Sequence, residues 1–159
     1  MLLSRLVAAV AVTLLAASPA SAQDGLTWID GTTAEGGGAL IYGLPESDYV
    51  ILSLHCDPAN LTLAILFTPD ENLPPVTSGV SLTLTSDGGK VVLPAARIYS
   101  EMLDTEMVEA TLGRLDPALV TILTTGEELA VNADGMTMRL PIPDEAVRTG
   151  FLTACAVMA

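Results

Sequence analysis

The stretch YVILSLHCDPANLTLAILF (Tyr49–Phe67) carries the reading on which the fold turns. In its first half, Val50, Leu52, Leu54 and Cys56 fall on one face of an extended chain, and Tyr49, Ile51, Ser53 and His55 fall on the other. Both faces are largely apolar, which predicts a strand covered by neighbours in the interior of a sheet rather than at its edge. Asp57-Pro58-Ala59-Asn60 then supplies turn chemistry: the Asx side chains bond local backbone, and proline fixes its own φ. Leu61–Phe67 returns as the second strand of a hairpin.

Two more hairpins can be predicted down to register. In VSLTLTSDGGKVVLPA (Val80–Ala95) a turn on Asp87-Gly88 sets Leu84 against Val91, Leu82 against Leu93 and Val80 against Ala95. In ELAVNADGMTMRLPI (Glu128–Ile142) a turn on Asp134-Gly135 sets Val131 against Met138 and Leu129 against Leu140. Each places apolar pairs on one face, as a half-buried antiparallel sheet requires. Before the first hairpin, the segment 23–38 reads as a short strand around Trp28 and a flexible loop containing EGGG (Glu35–Gly38), with another strand at Ala39–Gly43.

The segment ARIYSEMLDTEMVEATLG (Ala96–Gly113) has mixed periodicity and is assigned as two strands, although Met107, Glu109 and their neighbours would also suit a helix. Asp116 as N-cap, Pro117 at the first helical position and Gly126 as a stop predict a short helix. Asp144 and Glu145 open a second, in which Val147, Phe151, Ala154, Cys155 and Met158 recur at helical spacing. Gly150 weakens that helix by about 1 kcal/mol relative to alanine, so packing must hold it. The expected fold is mainly β, an antiparallel β-sandwich or flattened barrel with two short helices, one of them C-terminal.

Ahead of this region, Arg5, the apolar run Leu6–Ala17 and the small triplet Ala20-Ser21-Ala22 have the form of a signal peptide, residues 1–22, with 23–159 left as a single β-rich domain. The run is shorter than the ~20 residues a spanning helix needs, so no membrane anchor is expected after cleavage. A periplasmic or secreted location follows. Of six basic residues, the loss of Arg5 leaves five against nineteen acids, a net charge of −14. Such a chain repels nucleic acid and anionic lipid and attracts cations or basic proteins. Solubility alone is the plainer explanation of the acidity.

In an oxidising compartment Cys56 and Cys155 are expected to form a disulfide, because both lie on core-facing stripes. With its thiols so consumed, the chain offers His55, its only histidine, no soft partner for metal binding. No serine has the context of an activated nucleophile either, so His55 is read as structural, and neither catalysis nor a cofactor is expected. EGGG lacks the residues of a phosphate loop, and TSDGGK and NADGMT lack the oxygen ligands of a calcium loop. The acid pairs Asp70-Glu71, Glu127-Glu128 and Asp144-Glu145 could in principle flank a glycosidic bond, but a solvated surface accounts for them more simply. Glu101, Asp104, Glu106 and Glu109 form the densest acidic cluster and, with Tyr99, the candidate contact with a basic protein; its plain alternative is a solvated rim.

The stretch LTTGEELAVNADGMTMRLPIPDEAVRTGFLTAC (Leu123–Cys155) combines a Gly-x-x-Leu-x-Val strand, a DG hairpin, a strand ending in Leu-Pro and a closing helix with Gly150-Phe151 and Cys155. In these elements it resembles small exported bacterial proteins of the invasion-associated locus B type. The resemblance implies an exported β-sandwich and brings no catalytic residues with it. The expected function is a non-enzymatic binding module of the periplasm or exterior. Two alternatives are an acidic inhibitor of a cationic hydrolase such as lysozyme and a hydrolase whose site would need His55 beside a hydroxyl in a cleft.

Overall fold

The computed structural model describes residues 25–69, 73, 79–101 and 103–156. The expected leader lies outside them, as do Asp70, Glu71, Met102 and Met158. The chain runs β1 (Thr27–Thr32), β2 (Gly38–Gly43), β3 (Val50–Asp57), β4 (Thr62–Phe67), β5 (Ser81–Ser86), β6 (Gly89–Pro94), β7 (Ala96–Ser100) and β8 (Thr105–Leu112). It continues through α1 (Pro117–Thr124), β9 (Glu128–Ala133), β10 (Met136–Pro141) and α2 (Glu145–Ala154). Six strands form one sheet in the order β1-β2-β3-β4-β8-β7, and four form the other, β10-β9-β5-β6. Every pairing is antiparallel, and the sheets share no strand, so the architecture is a sandwich and not a closed barrel.

The Tyr49–Phe67 hairpin sits inside the larger sheet. Leu52 opposes Phe67, Leu54 opposes Ile65 and Cys56 opposes Leu63, and these six are buried on the face that meets the second sheet. Ile51 and Ser53, on the other face of β3, are buried too, and His55 on that face is only partly exposed, so neither side of this strand is open to solvent. Both DG hairpins form in the expected register, Leu84 with Val91 and Leu82 with Leu93, Val131 with Met138 and Leu129 with Leu140. One step beyond the first, the Ala95 amide donates to the Val80 carbonyl at 3.1 Å. Asp134 and Gly135 both take positive φ, 50° and 85°, as a two-residue turn matching strand twist demands. The ambiguous segment 96–113 is the hairpin β7–β8; its mixed pattern reflects an edge strand, β7, that is nowhere fully buried.

Each helix begins where its capping residue stands. The Asp116 carboxylate accepts from the Ala118 amide at 2.7 Å, and that of Asp144 from the Val147 amide at 3.0 Å. α1 packs on β5 and β6, and α2 packs on β1 and β2. Phe151 and Cys155 carry α2 into the core, where Cys155 is bonded to Cys56 of β3, with the two Cα atoms 5.7 Å apart. EGGG, expected as a flexible loop, is a tight turn into β2: Thr33 and Gly37 exchange bonds, and Gly37 and Gly38 are buried. A Cβ on Gly38 would lie 2.9 Å from that of Ala154 and 3.2 Å from the Cys155 sulfur. These glycines are therefore the seat on which the C-terminal helix and its cystine rest.

Two polar links tie the layers further. Trp28 of β1 donates its indole N–H to the Pro141 carbonyl at the end of β10, at 2.6 Å. Arg97 of β7 donates through Nε and Nη2 to one carboxylate oxygen of Asp134, at 3.0 and 2.8 Å, across the two sheets. With side chains only 13% and 17% exposed, this is the best-shielded ion pair among the described residues.

Candidate functional site

The acidic cluster lies on the β7–β8 hairpin, whose turn follows Ser100 and ends at Thr105. Asp104 takes a left-handed φ of 50°, a conformation aspartate tolerates better than most residues. Two bonds pin the turn: the Tyr99 hydroxyl donates to the Asp104 carboxylate, and the Leu103 amide donates to Ser100 Oγ at 3.3 Å. The carboxylate acceptor raises the Tyr99 phenol above its ordinary pKa and keeps it a proton donor. Tyr99 is 59% exposed, and Glu101, Asp104 and Glu106 are exposed with it.

Alternation along β8 divides the cluster. Glu106 opposes Tyr99, on the same side of the hairpin, and stands 3.6 Å from Arg97. Glu109, three residues on, points from the opposite face, between Leu66 and Ala96. The structure thus gathers Tyr99, Glu101, Asp104 and Glu106 at the hairpin end and sends Glu109 elsewhere. The hairpin's one cation, Arg97, is shared between Asp134 at 2.8 Å and Glu106 at 3.6 Å, so the carboxylates at the tip outnumber it and leave the tip electronegative.

Beside this tip opens a cleft of about 420 Å³. Val50, Pro69 and Leu103 give it apolar wall, and Asp48, Tyr49, Thr68 and Thr105 complete its lining with an acid, an aromatic residue and two threonines. Strand order makes it. Phe67 of β4 pairs with Val108 of β8, so the chain leaving β4 meets the chain entering β8, while the Thr68 amide donates to the Ile51 carbonyl at 2.8 Å. Sequence reasoning missed this cleft because β4 and β8 are not consecutive; the exposed Asp48-Tyr49 pair before β3 was the one local signal.

His55 lies between Ala39 and Ala64 on the outward face of the large sheet and lines neither this cleft nor the apolar one of about 280 Å³ near Arg114 and Leu115. Burial lowers its pKa below 6.5, which favours the neutral ring. Asp57 is held below the usual carboxylate range, chiefly by the Asn60 side-chain amide and then by local backbone N–H groups, as a turn-former would be. Glu128 pairs with Arg139, and Asp144 caps α2. Among the described residues no three His, Cys, Asp or Glu side chains are grouped to hold a metal ion, and no helix is long and apolar enough to cross a membrane. Compared with protein-family models, with curated proteins and with solved structures, the chain has no match.

Proposed function

We propose that this protein is a non-enzymatic, extracytoplasmic binding module that engages a basic protein through the end of the β7–β8 hairpin. The observation that carries the proposal is the exposed carboxylates of Glu101, Asp104 and Glu106 beside an open cleft, which outnumber the hairpin's one cation, Arg97, itself shared between Asp134 and Glu106. Complementary charge of this kind accelerates encounter and selects partners. The disulfide is compatible with an oxidising compartment, and export is further supported by the signal-like residues 1–22 and the resemblance of Leu123–Cys155 to exported proteins of the invasion-associated locus B type.

A narrower form of the proposal, an inhibitor of a cationic hydrolase such as lysozyme, draws support from the bonds that join Tyr99 to Asp104 and Leu103 to Ser100. A loop held in shape before binding loses less entropy when it docks. The test immobilises the oxidised protein and passes cell-envelope extract over it at low and then high salt. One or a few basic proteins should be retained and then released as the Debye length shrinks from ~30 Å at 0.01 M to ~3 Å at 1 M. The double variant E101Q/E106Q should retain markedly less. Retention indifferent to both salt and these substitutions would refute the proposal, and loss of lysozyme activity on addition of the protein would favour the narrower form.

A further inference from the structure

We infer that the cleft beside the hairpin receives an arginine side chain of the basic partner, an inference that rests on the function proposed above and specifies it. At about 420 Å³ the cleft falls within the ~300–1,000 Å³ of small-ligand sites. Its wall is mixed in the way a guanidinium on a three-carbon stem requires. Val50, Pro69 and Leu103 offer surface for the methylenes, while Asp48 is the one acid among the described lining residues, and a planar fork can donate twice to its carboxylate. Tyr49, 47% exposed, presents a ring over which a weakly hydrated cation can stack.

Two threonines border the cleft. Thr105 lines the cleft, and so does Thr68, whose Oγ1 is buried and is the one such side-chain atom among the described residues with no hydrogen-bond partner. The described wall suits a metal ion less well than an organic cation, because a hard ion wants several oxygen ligands at fixed distances and the described lining residues include a single carboxylate. Lysine suits it less well than arginine, since its compact ammonium holds its water more tightly and cannot bridge both carboxylate oxygens. Around the mouth, Asp104 adds negative charge next to Leu103 and Thr105.

The test is an amide NMR titration of the oxidised protein with acetyl-Gly-Arg-Gly-amide, with the lysine peptide and the uncharged citrulline peptide run in parallel. Expected are shifts at Asp48–Val50, Thr68 and Leu103–Thr105 with the arginine peptide, at least threefold weaker binding of lysine and none of citrulline. D48N should weaken the arginine peptide at least tenfold and Y49A at least threefold. Asp48 is exposed, so the D48N melting temperature should stay at the wild-type value, and for Y49A unchanged amide shifts away from the cleft establish that the fold is intact. Equal response to citrulline, shifts centred elsewhere, or occupation of the cleft by a neutral oligosaccharide such as chitotriose but not by the arginine peptide would overturn the inference. The envelope pull-down separates the two proposals. If D48N retains the basic protein as wild type does while E101Q/E106Q does not, the arginine socket falls and the hairpin function stands. If the arginine peptide fills the cleft but no basic protein is retained, the socket stands and the function falls.

Discussion

Removing the cystine with C56A/C155A should destabilise the protein by about 4.7 kcal/mol at 25 °C, the chain-entropy value for a loop closed across 99 residues. The alanines avoid stray thiols and leave few atoms missing, so loss of packing adds little. The perturbation falls on a helix that cannot stand alone. At ten residues α2 is below the ~12–15 at which isolated helices become marginal, and Gly150 lowers its propensity further. Without the covalent link, burial of Phe151 and the docking of α2 on β1 and β2 must hold it. Urea denaturation followed by fluorescence of Trp28, the single tryptophan, reports on β1 directly beneath that helix. With a slope of ~1–3 kcal/mol/M the midpoint should fall by about 1.5–5 M. A loss below ~1 kcal/mol at unchanged slope would refute the reasoning, since it would mean that the unfolded chain gains no freedom from cutting a bridge of this span. Dithiothreitol acting on the wild type should reproduce the variant's curve.

Two further outcomes test other parts of the fold. D134N keeps a residue suited to the left-handed turn but removes the charge that Arg97 grips across the sheets, and should cost about 1–3 kcal/mol in the same urea assay; a change under ~0.5 kcal/mol would mean the link is decorative. For His55 the folded pKa lies below the unfolded 6.5, so between the two values the unfolded chain binds the extra proton. Stability should therefore fall as pH drops below about 6.5 and level off below the folded pKa, and H55Q should flatten that portion of the curve in melts from pH 7.5 to 5. Asp57, whose pKa is depressed, loses its contribution only below the carboxylate range and leaves this window clear. An unaltered pH profile in H55Q would show that another group titrates there.

Local signals were legible wherever one short stretch carried the whole constraint. The DG turns specify their registers because two residues close each hairpin and a one-residue slip would expose the entire apolar set. Asp116 and Asp144 cap their helices because a carboxylate next to unsatisfied amides needs no distant partner. The role of EGGG was not legible, since what Gly37 and Gly38 accommodate is Cys56 and the end of α2, more than a hundred residues further on in the latter case. Nor was the division of the acidic cluster legible while helix remained an alternative for part of 96–113; with the strand register in hand, period-two alternation parts Glu106 from Glu109.

The amino-acid order of this chain dictates its strands, turns and caps, and the stripes that bring Cys56 and Cys155 toward a common core. Those are short-range properties, settled by backbone sterics, local hydrogen bonds and the burial of alternate side chains. Which strands become neighbours is another matter. The pairings of β4 with β8 and β5 with β9 join segments far apart in the chain, and nothing in either partner's pattern names the other, because an apolar edge is satisfied by any complementary strand of suitable length. Those pairings bring Asp48, Thr68 and Thr105 to one cleft beside the acidic hairpin and set Arg97 against Asp134, so the candidate site exists only in the assembled sandwich.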